Sequence, residues 1–494
     1  MQSQTRRRFV QAMAGVGLLS AAGTGSAFAQ PTNGTGTILV RREINSLSDD
    51  DLSSLRAGVA AMKARDPSDP TSWLFQANIH GTHDDIPDTF GDVWASCQHG
   101  SFFFLSWHRM YLYYFDRILR AAAGPGNPDF ALPYWDYSVP AQRSLPDAFR
   151  NPATPNNPLY TSRRRASRNA GVPLPASATD DTQAMGTINF ASSQGSGWSF
   201  GGQTVDGPVH QTGPHGRLES QPHDVVHVSI GGQSGWMTDP DMAARDPIFW
   251  LHHCNIDRMW EHWRALGGGR SNPTTDDTWM NTVFTFYDEN GNKVTLTGAD
   301  VLDTQNQLGY RYDDLPPAMV AAGERETTGR APVTEAQTSR VLASRPSTEG
   351  AVTLTPRETT LRVQPASTEA AESIAKPGTG PVVLSFSDIS YRRPVGVYYE
   401  VYLNKPEAAP PDPSGPYYAG NLALFALGHA HRNEGVTGGQ VALDVTAVLA
   451  QQRDLGLWSG GPVKIDLHPA EVEPTESTQA GPLASIGQVK LLGR

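Results

Sequence analysis

The sequence predicts a mainly α domain, a helical bundle with long loops, followed by a small β-sandwich or β-barrel domain. Two strong helical patterns lie in the first two thirds of the 494-residue chain, and short strand-like runs separated by Pro and Gly lie near its end. A stretch rich in Thr, Ser, Glu and Ala separates the two parts. We therefore predict a helical domain over residues 30–320, a flexible linker over 321–380 and a β domain over 381–494.

Composition is typical of a globular protein and excludes some functions. Apolar residues make up 38% of the chain, charged residues 18%, and the formal net charge is -11. A negative chain argues against nucleic acid as a partner, because phosphate binding needs a basic face. The two cysteines argue against a disulfide framework. Beyond the N-terminal segment, no run reaches the roughly 18 apolar residues of a membrane span.

The first residues are typical of an export signal. Arg6-Arg7-Arg8 precede a Gly- and Ala-rich apolar run, and Ala27-Phe28-Ala29 forms a small-x-small cleavage site. The paired arginines favour a twin-arginine signal over residues 1–29, and an ordinary secretory signal is the alternative. We expect a mature protein that is periplasmic or secreted.

The two helical patterns cover residues 102–120 and 248–266. In the first, apolar side chains recur at the spacing of one helix face. Three consecutive glycines end the second. Residues 151–216 between them are rich in Gly, Ser and Pro, which predicts long surface loops. In the β domain, strand-like runs cover residues 382–386, 395–403, 441–445 and 463–467.

Histidine is concentrated in the helical domain, where ten of the fourteen lie between His80 and His253. His223 and His227 are four residues apart, so both rings lie on one helix face and can reach one metal ion. The same spacing also arises between two unrelated surface histidines.

His99 and His108 are nine residues apart, which points them in opposite directions on one regular helix. Both can face one metal only if His99 precedes a bend, and Gly100 permits such a bend. With His80 upstream, three early and three late histidines predict two all-imidazole metal centres. Imidazole suits Cu, Zn, Fe and Ni, and the lack of carboxylate ligands disfavours Mg and Ca.

Two long motifs then identify a resemblance. Residues 99–109 (HGSFFFLSWHR) resemble the first copper motif of the tyrosinase and polyphenol oxidase family, and residues 245–260 (RDPIFWLHHCNIDRMW) are similar to the second. The resemblance is strong over about residues 37–320 and loose beyond. It implies an oxidoreductase with two copper ions that uses O2 to oxidise small phenols and o-diphenols to quinones, as a tyrosinase, a catechol oxidase or both.

Residue by residue, the resemblance also implies the copper ligands. One copper would be bound by His80, His99 and His108, and the other by His223, His227 and His253. His252 would lie beside the second site. Asp257 and Asn255 are candidates for anchoring ligand rings, with helix capping as the alternative.

Three further residues match functional positions of the family. Cys97 precedes His99 at the spacing where a thioether forms in fungal relatives; the alternative is a free buried thiol. Glu219, four before His223, matches a glutamate that orients a water near the coppers; the alternative is a surface helix glutamate. Asp224 replaces the Asn of many strong monophenolases and either helps to deprotonate a phenol or is a solvated helix residue.

The substrate pocket has two candidate positions. Plant catechol oxidases often carry a bulky Phe thirteen residues before the last ligand, and here that residue is Pro240, so we expect an open pocket. Phe249, four before His253, is the better candidate for a ring that stacks on the substrate, or it is a core aromatic. Cys254 is expected to be a packed residue.

Two long-range contacts are also implied. Arg41 and Arg42 resemble a basic pair that contacts residues 310–312 (YRY) by cation–π stacking, with a surface pair as the alternative. The β domain resembles the shield of latent polyphenol oxidases, and residues 417–420 (YYAG) are the segment expected to insert into the pocket.

Other interpretations remain open. A haemocyanin-like protein would carry O2 on the same histidines without chemistry, and a binuclear zinc hydrolase would lack copper. The sequence makes no prediction of the oligomeric state. The remaining histidines of the helical domain are expected in loops or in packing, and strand alternation alone explains His429 and His431. The former are His83, His210, His215 and His262.

Overall fold

The computed structural model describes residues 38–193, 198–210, 213–315, 339–375, 380–427, 436–472 and 481–493. The predicted export signal, the histidines at 429 and 431 and much of the predicted linker lie outside these residues. Within the described part, no helix has both the length and the apolarity to cross a membrane.

The described residues form a helical domain and a β domain. The helices are α1 (Asp49–Ala64), α2 (Trp73–His80), α3 (Phe104–Ala123), α4 (Ala166–Asn169), α5 (Thr182–Gly186), α6 (Asp224–Gly231), α7 (Pro247–Ala265), α8 (Asp277–Asn281), α9 (Thr368–Ala375) and α10 (Thr446–Asp454). The strands of the helical domain are β1 (Leu39–Arg41), β2 (Ala191–Ser192), β3 (Gly202–Gln203), β4 (Phe284–Tyr287), β5 (Lys293–Leu296) and β6 (Tyr310–Tyr312). The strands of the β domain are β7 (Arg340–Ser344), β8 (Val352–Leu354), β9 (Thr359–Pro365), β10 (Val383–Tyr391), β11 (Tyr398–Leu403), β12 (Tyr418–Leu422), β13 (Val436–Asp444), β14 (Val463–Ala470) and β15 (Ala484–Gly493).

Local signals fix the helices that carry the site. Before α2, the Ser72 hydroxyl accepts the Phe75 N–H at 3.2 Å, and before α7 the Asp246 carboxylate accepts the Ile248 N–H at 3.0 Å. Helices α3 and α7 confirm the two predicted helices, and both are buried along most of their length. Gly100 has φ +73°, so the predicted bend before α3 is present.

A buried charge network joins the start of the helical domain to its end. β1 pairs with β6 in parallel, and the Arg41 guanidinium lies 3.7 Å from the ring centre of Tyr310. Both flanking tyrosines, Tyr310 and Tyr312, donate to Asp257 at 2.6 Å, which also accepts from Arg109 at 2.6 Å. Burial opposes its ionisation, but Arg109 and Arg41 hold the pKa of Asp257 below its usual value.

This network confirms the predicted contact for Arg41 only, because Arg42 is exposed. It also corrects the expectation for Asp257, which anchors arginine and tyrosine side chains instead of a ligand imidazole. Asn255 likewise contacts a charged neighbour, since its side-chain oxygen accepts from Arg258 at 2.9 Å.

The β domain is a nearly closed antiparallel barrel whose strand order is β12-β11-β14-β9-β7-β15-β10-β13, with β8 paired to β15. Strands β7 to β9 and helix α9 lie inside the predicted linker, so the linker prediction is wrong over residues 340–375. The cause is the one-sided burial of these strands. In β9 only Leu361 and Val363 are buried, and the alternating Thr, Arg and Gln face outward, so the composition looks that of a disordered segment.

The barrel sits on the helical domain through close backbone contact. A Cβ on Gly396 would lie 2.3 Å from the backbone nitrogen of Gln233, so only glycine fits there. The Gly396 carbonyl accepts from Arg165 at 2.7 Å. On another side, Arg217 pairs with Asp444 at 2.7 Å.

Replacing Asp257 with Ala should lower the free energy of unfolding by about 3–5 kcal/mol, because two buried guanidinium groups lose their anion. Chemical denaturation of the full chain measures this difference. Asp92, whose ion pair with Lys293 is exposed, is the matched control, and Asp92→Ala should leave stability unchanged. Equal stability of the two variants would contradict the role assigned to Asp257.

Candidate active site

Two trios of imidazoles face each other in the helical domain. The ring centres of His80, His99 and His108 lie 5.2 to 5.6 Å apart. Those of the second trio, which are His223, His227 and His253, lie 4.6 to 5.5 Å apart. The trios meet where His108 stacks on His253, with ring centres 4.4 Å apart and planes within 6°.

The helices bring these rings together from distant parts of the chain. Helix α2 ends on His80, α3 carries His108 one turn after its start, and α7 carries His253. His223 lies at the turn before α6 and His227 within it. The spacing argument therefore holds for the second trio, although only one of the two rings is inside the regular helix.

Most of the rings are fixed through Nδ1. His80 donates to the Pro240 carbonyl, His108 to the Phe104 carbonyl and His227 to the Met237 carbonyl, each at 2.8 Å. A carbonyl only accepts, so Nδ1 carries the proton and Nε2 keeps its lone pair. The buried Nε2 atoms without a hydrogen-bond partner include those of His80, His99, His108 and His223.

Burial keeps these rings neutral. It lowers the pKa of His108 to about 3, and burial together with neighbouring imidazoles lowers the pKa of the other five well below the usual value. Neutral imidazoles with free lone pairs are metal ligands. Two groups of ring nitrogens, one with His80 and His108 and one with His223 and His227, are compact enough to hold an ion. An all-imidazole donor set fits copper.

Cys97 lies beside the first trio. Its Sγ is 3.3 Å from His99 Nδ1 and 3.4 Å from His210 Nδ1. The sulfur is therefore adjacent to the ring to which the predicted thioether would join it. Cys254 is fully buried, and burial raises the pKa of its thiol to about 12, in keeping with a packed residue.

Glu219 and Asp224 are buried, which rules out the surface glutamate and the solvated helix residue. Burial, with a contribution from Asp224, raises the pKa of Glu219 to about 8. Its two carboxylate oxygens lie 3.0 and 3.2 Å from the Gly100 N–H, next to the ligand His99. Asp224 accepts from His223 Nδ1 at 2.8 Å, so its carboxylate orients a ligand of the second trio.

His215 was expected only to pack, and the structure places it in the site. It is fully buried. Its Nδ1 lies 2.7 Å from Asp224 and its Nε2 3.8 Å from Glu219. Burial opposes a charge on the ring, but these two carboxylates raise the pKa of His215 to about 9. Its spacing of four from Glu219 is the only signal in the sequence that could have indicated this contact.

The predicted pocket residues lie close to the ligands. The ring of Phe249 is fully buried and packs against His80 at 4.9 Å and His253 at 4.2 Å between ring centres. Pro240 differs from the expectation, since it contacts the site through the carbonyl that fixes His80. His252 lies beside the second trio, as expected, and its Nδ1 is 3.1 Å from the Tyr137 hydroxyl.

A segment of the β domain covers the second trio. The lid segment (residues 423–427) follows β12, and its Phe425 stacks on His227 with ring centres 4.0 Å apart and planes within 17°. Phe425 and Ala426 belong to the apolar core of the helical domain. The predicted insertion at residues 417–420 is therefore wrong, since Tyr418 begins strand β12 and packs on Tyr402.

The sequence contains a signal for Phe425. Residues 422–427 (LALFAL) form an apolar run without the polar alternation of a half-exposed strand. Such a run needs cover on all sides, which the helical domain supplies.

Comparison with known proteins places the chain among copper oxidases. The common central domain of tyrosinase matches residues 70–266, and the polyphenol oxidase middle domain matches residues 273–322. A domain of unknown function (DUF7868) matches residues 332–490.

Similar proteins occur in a bacterium and in plants. Tyrosinase HcTyr1 of Hahella sp. (strain CCB-MM4) is 40% identical over 56% of this chain and 64% of the relative. The chloroplastic polyphenol oxidase of Malus domestica is 31% identical over 76% of this chain and 66% of the relative. The chain thus spans about half to two thirds of the length of the first curated relatives it matches.

The fold is similar to that of a solved latent enzyme. The structure of latent apple tyrosinase matches with a TM-score of 0.65 and 25% identity, covering 92% of this chain and 97% of that one. Latent aurone synthase from its natural source has the same fold, with a TM-score of 0.66. The matched domains, the relatives and the paired histidine trios together show that this chain belongs to the tyrosinase and polyphenol oxidase family, whose members depend on copper.

Proposed function

We propose that this protein oxidises phenols and o-diphenols to o-quinones with O2 at a pair of copper ions. The observation that carries the proposal is the pair of neutral imidazole trios in contact through His108 and His253. The first ion would be held by His80, His99 and His108, and the second by His223, His227 and His253. When bound, two such ions supply the electrons that reduce O2 and accept those of the phenol.

The chain's own groups handle the substrate and its proton. Glu219 is buried beside His99, and burial holds its pKa near neutral, at about 8, which suits a group that takes up a phenol proton at its carboxylate oxygens. The raised pKa means that Glu219 is protonated over more of the pH range than an exposed glutamate. Phe249 supplies an apolar wall on the ligand rings. Asp224 holds His223 and is not assigned to the substrate.

Turnover of a catechol in air, together with copper analysis, tests the proposal. His108→Ala and His253→Ala should each lose the copper of one trio and all measurable quinone formation, because one of three ligands is removed. His262→Ala is the control, since that half-exposed ring bonds only to Asp314 in the described structure.

Three results would contradict the proposal. Reversible O2 absorption without quinone would favour an oxygen carrier, and zinc in place of copper would favour a hydrolase. Two coppers and full activity in His253→Ala would contradict the ligand assignment. Comparing initial rates on a monophenol and its o-diphenol separates tyrosinase from catechol oxidase activity.

We further propose that Cys97 and His99 form a thioether. The bond joins Sγ to a ring carbon of His99 and releases two hydrogen atoms, with O2 as the two-electron oxidant reduced to hydrogen peroxide. Mass spectrometry of the copper-loaded protein after exposure to air should show one cross-linked peptide, lighter by two hydrogens. Cys97→Ser should lack it. An intact thiol at Cys97 in the active holoprotein would contradict the thioether.

The lid segment makes the enzyme latent in this proposal. Phe425 lies on His227 where a phenol ring would approach the second copper. Displacing the β domain, by proteolysis or mild denaturation, would open the site. The predicted export signal, which is not part of the described residues, remains a proposal for where the enzyme acts.

Phe425→Ala should raise catechol turnover of the full chain by at least about tenfold, since loss of a buried Phe ring weakens lid docking by roughly 3 kcal/mol. Activity with and without a protease measures the latent fraction. Tyr418→Phe is the matched control and should remain latent, because it keeps its ring in β12. Equal latency of Phe425→Ala and the unmodified protein would sink the lid assignment.

A further inference from the structure

One buried imidazole contacts both domains at the site. His215 Nδ1 lies 2.7 Å from Asp224 Oδ2, in the helical domain, and its Nε2 lies 3.3 Å from the Ala426 carbonyl, in the lid segment. A carboxylate and a carbonyl both accept hydrogen bonds, so both ring nitrogens of His215 act as donors. The ring is fully buried, so no exposed position offers it another partner in the described structure.

The first contact leads to the second histidine trio. Asp224 uses one oxygen for His223 Nδ1 at 2.8 Å and the other for His215. A carboxylate fixed at both oxygens holds one orientation, and this orientation sets the direction of the His223 ring. His215 therefore acts on a copper ligand through Asp224, without contacting the ion itself.

The second contact leads to the lid segment. Ala426 has φ +51°, a left-handed conformation that alanine rarely adopts. This strained turn places the Ala426 carbonyl on His215 and the neighbouring Phe425 ring on His227. Local strain of this kind persists only where surrounding contacts hold it. The bond to His215 is one such contact.

We propose that His215 is a positioning residue that ties the lid segment to the second copper site, through Nδ1 to Asp224 and through Nε2 to the Ala426 carbonyl. The inference rests on the proposed function. When the lid leaves, Nε2 loses its carbonyl partner, and the nearest carboxylate oxygen is Glu219 Oε1 at 3.8 Å. Opening of the lid thus transfers a hydrogen bond to the residue assigned to the phenol proton.

Two substitutions separate the two contacts. The amide of an asparagine takes roughly the place of Nδ1, and that of a glutamine the place of Nε2, so His215→Asn keeps the Asp224 contact and His215→Gln keeps the lid contact. In the copper-loaded full chain, we would measure loss of copper to a chelator and hydrogen exchange of the amides of residues 422–427.

The expected results are opposite for the two variants. His215→Asn should lose copper at the rate of the unmodified protein, within about twofold, and show faster lid exchange. His215→Gln should release one copper about 10–100-fold faster, as when the support of a metal ligand is lost, and keep lid exchange unchanged. His215→Phe should change both readouts.

The matched controls are His262→Asn and His262→Gln, which should change neither readout. If the two variants at His215 alter both readouts together, or alter neither, the proposal is wrong; the single-atom assignment demands that they separate. A chain that binds two coppers but makes no quinone would overturn the proposed function alone, because copper release and lid exchange are read without turnover.

Discussion

The site depends on one constraint, which is that the ligand imidazoles are held from behind by groups that cannot move. Pro240, Phe104 and Met237 contribute backbone carbonyls, and Asp224 contributes a carboxylate. Each anchor fixes the tautomer as well as the direction of a ring. The unpaired lone pairs that remain are costly to bury, and a bound cation is what offsets that cost.

The rest of the helical domain serves this constraint. The caps of α2 and α7 set where those helices begin, and therefore where His80 and His253 lie. The charge network around Asp257 lies on the same helix as His253 but contacts none of the ligand rings that anchor the metal. Because that network is separate, its buried arginines can stabilise the fold without placing positive charge among the imidazoles, where it would weaken cation binding.

The β domain depends on the same site for part of its own docking. Its lid segment contributes an aromatic ring and a carbonyl to a core that otherwise belongs to the helical domain. Elsewhere the two domains meet mainly through polar contacts, such as those of Arg165 and Arg217. An interface with many polar contacts and one inserted apolar segment can open without exposing a large apolar surface. This suits a cover that must be removable.

How much the sequence predicts follows the range of the interactions involved. Helical spacing placed α3 and α7, and Gly100 placed the bend that lets His99 and His108 converge, because each of these is decided within a few residues. Strands β7 to β9 were missed, since half-exposed strands show few apolar residues and composition alone resembles a linker.

The sequence by itself therefore determined the ligand residue types, the helices that carry most of them and the family to which the chain belongs. Tertiary structure alone decided the roles of His215, Pro240 and Phe425. Each of these acts through a contact with a residue far along the chain, by a carbonyl or a ring face whose direction no local pattern encodes. Residue spacing fixes what shares one helix face, whereas only packing decides which distant atoms meet.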